Sequence, residues 1–437
     1  MIGEQLTGFL YCDLVGIVRG RLLAAADVET RLTSGVGWVP ANISLTAFGG
    51  IAEPNPHGST GDLRLRPDPA THVCVGFGEE VSALEFFLCD VVGTDGSPWE
   101  CCPRTFLSTA LKALEREAGV QLRAAFEHEF QCVDDSPPPL PFSLEAQRRV
   151  EPFGPVVMAT LRQAGVEPEL FLPEYGEHQF EVVCAPAEGM AAADRSVTAK
   201  EVIREVARRL GRCVTFAPLR HQSAVGNGAH IHFSFVDDLG RAPMYDQERP
   251  GRLSRVAGQF AAGILRHAPA LAALVAPGVS SFLRLAPHRW SAGAACLGER
   301  NRETLLRISP VVETPGHDPA HQYNLEFRAA DATACPYLAL GAIVRAGLDG
   351  VRQGLECPPI LSRDPASLTD EELAEYGAPT MPGTLEEALE SLHQDEIARG
   401  WFPPLLYESY VGVKRAELSL LEGLDHDEVC RRYVAAY

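Results

Sequence analysis

The chain has no Cys-x-x-Cys among its 12 cysteines, no excess of basic residues, and neither of the common glycine-rich phosphate loops. Its cysteines are scattered from Cys12 to Cys430, with one adjacent pair at Cys101 and Cys102. That spacing excludes a zinc knuckle and a thioredoxin-type site, and suits reduced thiols in a cytosol. Fifty-eight acids stand against 38 bases, a formal charge of -20, which excludes a general binder of nucleic-acid backbone and suits a soluble enzyme. The first residues carry no basic region or continuous apolar run, and the most apolar later stretch is broken by Arg266 and His267. Neither secretion nor a membrane span is therefore expected, and a cytoplasmic location is. With no Gly-x-x-x-x-Gly-Lys-Ser/Thr and no Gly-x-Gly-x-x-Gly between strand and helix, any phosphate must be handled by metals and arginines.

What is present is enough for two domains: 437 residues, 46% of them hydrophobic. Residues 1–100 read as short strands and turns, such as Gly8 to Leu14 and Thr71 to Phe77, with a possible helix near Ala25 to Ser34. Asp95-Gly96-Ser97-Pro98 is a turn, and Pro103-Arg104 opens a helical pattern running to Ala118, which places a boundary near residue 100. Residues 101–437 form the larger unit, with helices expected over Leu144 to Gly165, Ala187 to Leu210, Arg252 to Leu274 and Pro336 to Gly350. Strands alternate with them, so the fold class is α+β, helices backing a sheet whose other face is free for chemistry.

Short apolar stretches carry the chemistry. In a strand, residues i and i+2 share a face about 6.5 to 7 Å apart. Phe126-Glu127-His128-Glu129-Phe130 thus aims two carboxylates together, and Ala229-His230-Ile231-His232-Phe233 repeats the device with imidazoles. Asn324-Leu325-Glu326-Phe327-Arg328 does so with an acid and a guanidinium, and a loop returns Glu181 beside Glu174. Gly226-Asn227-Gly228, just before the histidines, permits close backbone approach to a ligand. Arg284, Arg302, Arg307 and Arg328 sit beside apolar neighbours, where a guanidinium seeks a carboxylate or phosphate. Each feature has a bland counterpart: the wet face of a sheet, a satisfied core histidine, a structural ion pair. Together they make sense if acids and a histidine hold two cations while arginines bind substrate carboxylate and transferring phosphate.

In this ordered set (Glu-x-Glu, Glu and Glu seven residues on, Gly-Asn-Gly-x-His-x-His, Phe-x-Arg-Leu, Asn-Arg-x-x-x-x-Arg, Asn-Leu-Glu-x-Arg) the chain resembles the glutamine synthetase family. The likeness spans almost the whole length, from Cys12-Asp13-Leu14-Val15-Gly16 through Gly61 to Asp68 and on to Tyr410 to Lys414. It implies a small N-terminal β-grasp domain and a large catalytic domain with a curved, largely antiparallel sheet backed by helices. It also implies a ring-shaped homo-oligomer with active sites between subunits. By the same resemblance Glu129, Glu174 and Glu181 would hold one Mg²⁺ or Mn²⁺, and Glu127, His230 and Glu326 the other. His232 and Ser234 resemble ATP-contacting positions, Gly226 and Arg284 the glutamate site, and Arg302, Arg307 and Arg328 would face the phosphate in flight. ATP would phosphorylate the γ-carboxylate of glutamate, and a nitrogen nucleophile would displace phosphate.

The departures from the family pattern bear on the acceptor. Pro40-Ala41-Asn42-Ile43-Ser44 stands where ammonia-using members carry an aspartate, and Trp290 falls where they bring a glutamate over the site. An indole takes no proton from ammonium, but it stacks on an organic amine. An amine other than ammonia is therefore expected. Ala217-Pro218, Val225, His178 and Cys335 also replace usual family residues, leaving room for a close analogue of glutamate, while the retained Arg284 implies an α-carboxylate. A polyamine acceptor would need carboxylates for its distal ammonium, with Glu177 and Asp62 as candidates. Two other readings compete: a silent homologue serving as scaffold or sensor, and a metal-dependent amidohydrolase reading His230-x-His232 as its metal motif.

Overall fold

The computed structural model describes residues 4–78, 82–134, 136–285 and 294–437. Residues up to Gly93 supply a six-stranded sheet: β1 (Leu6–Cys12), β2 (Val18–Ala24), β3 (Val36–Trp38), β4 (Leu63–Pro67), β5 (Val73–Val75) and β6 (Leu84–Gly93). Its order is β2-β1-β6-β4-β3, with β5 also on β6, and only the β1–β6 contact is parallel.

A ten-stranded sheet carries the rest: β7 (Gln121–Cys132), β8 (Pro168–Pro173), β9 (Gln179–Cys184), β10 (Ala187–Glu188), β11 (Val214–Thr215), β12 (Ala229–Val236), β13 (Ala294–Glu299), β14 (Thr304–Ile308), β15 (Leu325–Phe327) and β16 (Ile360–Leu361). The order β16-β13-β14-β15-β12-β7-β9-β8 is antiparallel except at β13, which runs parallel to both neighbours. The fold is thus α+β with a large, mostly antiparallel sheet, as expected.

Alternation along two central strands separates core from cleft. On β7, Ala124, Phe126, His128 and Phe130 are buried on the helix-covered face, while Glu127 and Glu129 point the other way. On β12, Ile231, Phe233 and Phe235 are buried against helices, and His230, His232 and Ser234 face the cleft. Each such large apolar side chain contributes about 1.5–3 kcal/mol, so a one-residue slip that inverted either strand would be strongly disfavoured. His128 lies between two acids in sequence yet belongs to the core: it meets Ser196 Oγ at 3.0 Å, and burial lowers its pKa to about 3.

Two expected helices are divided. Leu144 to Gly165 is a Leu144–Arg149 helix and a Phe153–Gln163 helix, because Pro152 disfavours helical backbone at Glu151 and lacks an N–H. Arg252 to Leu274 becomes Arg255–Arg266 and Ala268–Val275, split at His267 ahead of Pro269. The other long helices form near the expected places, over Pro103–Ala118, Gly189–Arg209 and Pro336–Gln353.

Buried ion pairs tie the parts together. Arg104, 5% exposed, bonds Asp90 at 2.8 Å, Asp68 at 2.9 Å and Asp194 at 3.0 Å, joining the smaller sheet to the Gly189–Arg209 helix. His267, 2% exposed, sits 2.5 Å from Asp395 and 3.0 Å from Asp349. Burial alone would lower its pKa, but the two carboxylates outweigh that and raise it. A raised folded pKa gives stabilisation that is complete below the unfolded value of about 6.5 and is lost as pH rises through the folded value. His267→Asn should therefore cost about 3 kcal/mol near pH 6 and clearly less near pH 9. Denaturant titrations at the two pH values check this; equal losses would contradict it.

Candidate active site

The register of the large sheet assembles the site. Across β7 and β9, Glu129 is opposite Glu181; across β7 and β12, Glu127 is opposite His230. Across β12 and β15, His232 is opposite Glu326; across β14 and β15, Arg307 is opposite Glu326. Facing residues on neighbouring strands approach closely, so four strand contacts gather acids, imidazoles and a guanidinium on one face. Glu174 follows β8 at the hairpin, where its N–H donates to Gln179 O at 2.8 Å, and its carboxyl interacts electrostatically with those of Glu129 and Glu181.

These groups line a cleft of about 1210 Å³ that includes Glu127, Glu129, Glu174, Glu181, His230 and His232. The remaining described candidates, Gly226, Ser234, Arg284, Arg302, Arg307 and Arg328, line it as well. Glu326 lies beneath its floor, fully buried, ion-paired to Arg307 and Arg328. Trp290 lies outside the described residues. Glu177 and Asp62 are exposed and do not line the cleft.

The acids cannot all be ionised together in this space. Burial first, then Glu127, Glu129 and Glu174, push Glu181 up to about 10, and burial with Glu129 pushes Glu174 to about 7. Burial also works against ionised Glu127, yet the adjoining imidazoles outweigh it and hold that carboxyl well below its usual range. His232 Nε2 lies 3.1 Å from Glu127 Oε1, and His230 Nδ1 3.4 Å from Glu127 Oε2. Burial opposes charge on His232, but Glu127 prevails and raises it to about 9.

Carboxylate oxygens with imidazole nitrogens form a donor set suited to a divalent cation, and the repulsion among the carboxylates is what a dication relieves. Ligand atoms of Glu127, Glu181 and His230 lie within 4.8 Å of one another, and so do those of Glu127, His232 and Glu326. The donor set therefore fits metal, with Glu127 common to both groups and His232 drawn into the second.

Supporting residues not singled out from sequence hold this arrangement. Asn324 Oδ1 meets His232 Nδ1 at 2.8 Å, leaving Nε2 aimed at Glu127. Gln179 donates to Gly226 O at 2.8 Å and Asn227 Oδ1 at 2.9 Å, while Asn227 donates to Ala217 O at 2.8 Å. The glycine-rich turn is thus pinned against Arg284, whose Nη2 donates to Ala329 O and, at 3.1 Å, to Ala330 O. Asn324 and Asn227 each stand inside a recognised motif, which is the signal that could have found them; Gln179 carried none. His178, in a position the resemblance makes a usual glycine, has φ 51° and bonds Ser136 O through Nε2 at 2.9 Å.

The glutamine synthetase catalytic domain matches residues 100–433, and the glutamine synthetase N-terminal domain matches residues 3–99. Gamma-glutamylpolyamine synthetase GlnA3 of Streptomyces coelicolor is 34% identical over 436 residues, covering 97% of this chain and 91% of that protein. The crystal structure of a novel glutamine synthase homolog superposes with a TM-score of 0.92 at 46% identity, covering 100% of this chain and 99% of the other. Apo GmaS without ligand superposes with a TM-score of 0.82 at 25% identity, covering 98% and 96%. With both of its domains matched and its acids, imidazoles and guanidiniums gathered in one cleft, the chain belongs to the glutamine synthetase family of ATP-dependent ligases.

Proposed function

We propose that this protein phosphorylates the γ-carboxylate of glutamate, or a close analogue, with ATP and couples it to an organic amine, releasing a γ-glutamyl amide, ADP and phosphate. As a family member it uses ATP and divalent metal ions. The observation that carries the reading is the convergence of six ligand-type residues and three arginines at one cleft, while the stretch where ammonia-using relatives place an acid is Pro40–Ser44, a short 3-10 turn without one. Retention of the whole ligand set speaks against a silent scaffold, and family membership removes the amidohydrolase reading.

Glu129, Glu174 and Glu181, with Glu127, His230 and Glu326, would hold two or more Mg²⁺ or Mn²⁺ ions. When bound, the ions neutralise crowded phosphate oxygens. Arg284 and the Gly226 backbone would seat the α-carboxylate, and His232 and Ser234 the nucleotide. A γ-carboxylate oxygen attacks the terminal phosphorus, ADP leaves, and Arg302, Arg307 and Arg328 stabilise the group in transit. The amine nitrogen then attacks the acyl carbon, the C–O bond to phosphate breaks, and the nitrogen loses a proton. The cytoplasm is the proposed location, and a ring-shaped homo-oligomer with inter-subunit sites the proposed assembly. Among the described residues no helix is long and apolar enough to cross a membrane.

Phosphate release with ATP, Mg²⁺ and glutamate should be faster with at least one organic amine than with ammonium; equal or faster release with ammonium would overturn the acceptor assignment. A Cβ on Gly226 would collide with Arg284 Cγ and Cδ and lie 3.1 Å from Pro218 O. Gly226→Ala should accordingly raise the KM for glutamate about tenfold or more, with a smaller change in kcat. An unaltered KM would remove Gly226 from the acid site.

A further inference from the structure

From Phe142, Tyr175 and Val225 we infer that the acceptor is an amine with an uncharged apolar body, alkyl or aryl, rather than a polyamine. This rests on the ligase reading above. The cleft has two ends, set by the direction of β12. Gly226 and Arg284 mark one, before the strand begins; Ser234, opposite Arg123, marks the other. Val225 adjoins Gly226, and Tyr175 adjoins Glu174, with its N–H donating to Glu174 Oε2 at 3.0 Å. Phe142 completes the wall, its ring centroid 6.5 Å from that of Tyr175 and its plane tilted by 50°. All three line the cleft at the end where glutamate would be seated.

These side chains are presented to solvent: Phe142 is 55% exposed, Tyr175 59% and Val225 37%. Apolar surface at the lip of a functional cleft marks a surface that something covers. The loop is anchored for this. Phe142 takes φ 56°, rare for a bulky residue, and the next residue, Ser143, donates to Leu140 O at 2.7 Å while accepting from Ala146 N–H at 3.1 Å.

The acids lining the cleft are Glu127, Glu129, Glu169, Glu174 and Glu181. Four belong to the metal cluster. Glu169 sits near the start of β8, one residue from Pro168, which faces Cys184 and so lies toward the Ser234 end, away from Tyr175. Among the described residues no further carboxylate lines the cleft at that end to receive a distal ammonium. A butyl or benzyl body would exchange water for two rings and an isopropyl group favourably, whereas a distal ammonium finds no partner carboxylate among the residues lining that end.

The test uses the full-length protein with ATP, Mg²⁺ and glutamate, and hydroxylamine, butylamine, benzylamine, putrescine and spermidine as acceptors. The expected result is kcat/KM for butylamine or benzylamine at least about tenfold above that for either polyamine. Phe142→Ser and Tyr175→Ser should each lower the ratio of kcat/KM for benzylamine to that for hydroxylamine about tenfold, mainly through KM, with Phe142→Leu recovering part of the loss. Preferred use of a polyamine, with an acceptor order indifferent to Phe142→Ser and Tyr175→Ser, would overturn the inference and leave the ligase reading standing. Absence of phosphate release with every acceptor, hydroxylamine included, would overturn both.

Discussion

Replacing Glu129 by alanine should lower amide formation by on the order of 10³-fold or more, with no matching loss of stability. Glu129 faces Glu181 across β7 and β9, and its Oε2 accepts the Gly228 N–H at 2.6 Å. It therefore connects the acid cluster to the glycine-rich turn at the acid end of the cleft. In the metal-free protein the same carboxylate raises the pKa of both Glu174 and Glu181, so its removal relieves like-charge repulsion. Glu129→Ala should melt at or above the parent temperature without metal, and gain less from added Mg²⁺ or Mn²⁺ than the parent does. A variant that kept a tenth of parental turnover, or that lost both activity and fold, would contradict the assigned role.

Arg307→Lys is expected to lower kcat by about 10²- to 10³-fold while moving the KM for glutamate far less. Arg307 is 7% exposed and ion-pairs with Glu326 through Nε. Burial would protonate Glu326, but Arg328 first, then His232, His230 and Arg307, hold its pKa below the usual value. An acid whose ionised form is favoured thus anchors two guanidiniums beneath the floor, and Arg328 is fixed further by donating from Nε to Arg302 O at 2.9 Å. A guanidinium can grip Glu326 with one edge and offer its remaining N–H groups to a phosphoryl oxygen; an ammonium is a point charge without that fork. Near-parental kcat in Arg307→Lys would show that charge alone suffices. A rise confined to the KM for glutamate would place Arg307 in substrate binding instead.

The chemistry of single strands was legible in the sequence, because a two-residue period needs no knowledge of the partner strand: Glu127 with Glu129, His230 with His232, and Glu326 with Arg328 follow from it. Which strand lies beside which was not. β7 pairs with β9 and β12, segments about 50 and 100 residues later in the chain, and nothing local specifies that Glu129 meets Glu181 or that Glu127 meets His230. The resemblance placed those residues in one site; periodicity could not. Helix existence was readable and helix continuity less so: Pro152 ends one segment and His267 another within stretches whose apolar spacing continues. The contribution of Asn324 was hidden for a different reason. An amide at the head of a motif looks like any turn residue until the hydrogen bond to His232 Nδ1 is seen. The acceptor end was least readable: Phe142 follows a proline-rich loop whose path, not composition, brings it opposite Tyr175.

Glutamate labelled with ¹⁸O in its γ-carboxylate, incubated with the protein, ATP, Mg²⁺ and its best amine, tests most directly whether this cleft transfers phosphate to that carboxyl. One labelled oxygen per amide formed should appear in inorganic phosphate, since the carboxylate oxygen that bonds to phosphorus leaves with it when the C–O bond breaks at amide formation. Amide formation with unlabelled phosphate, or with the label in AMP, would contradict the account.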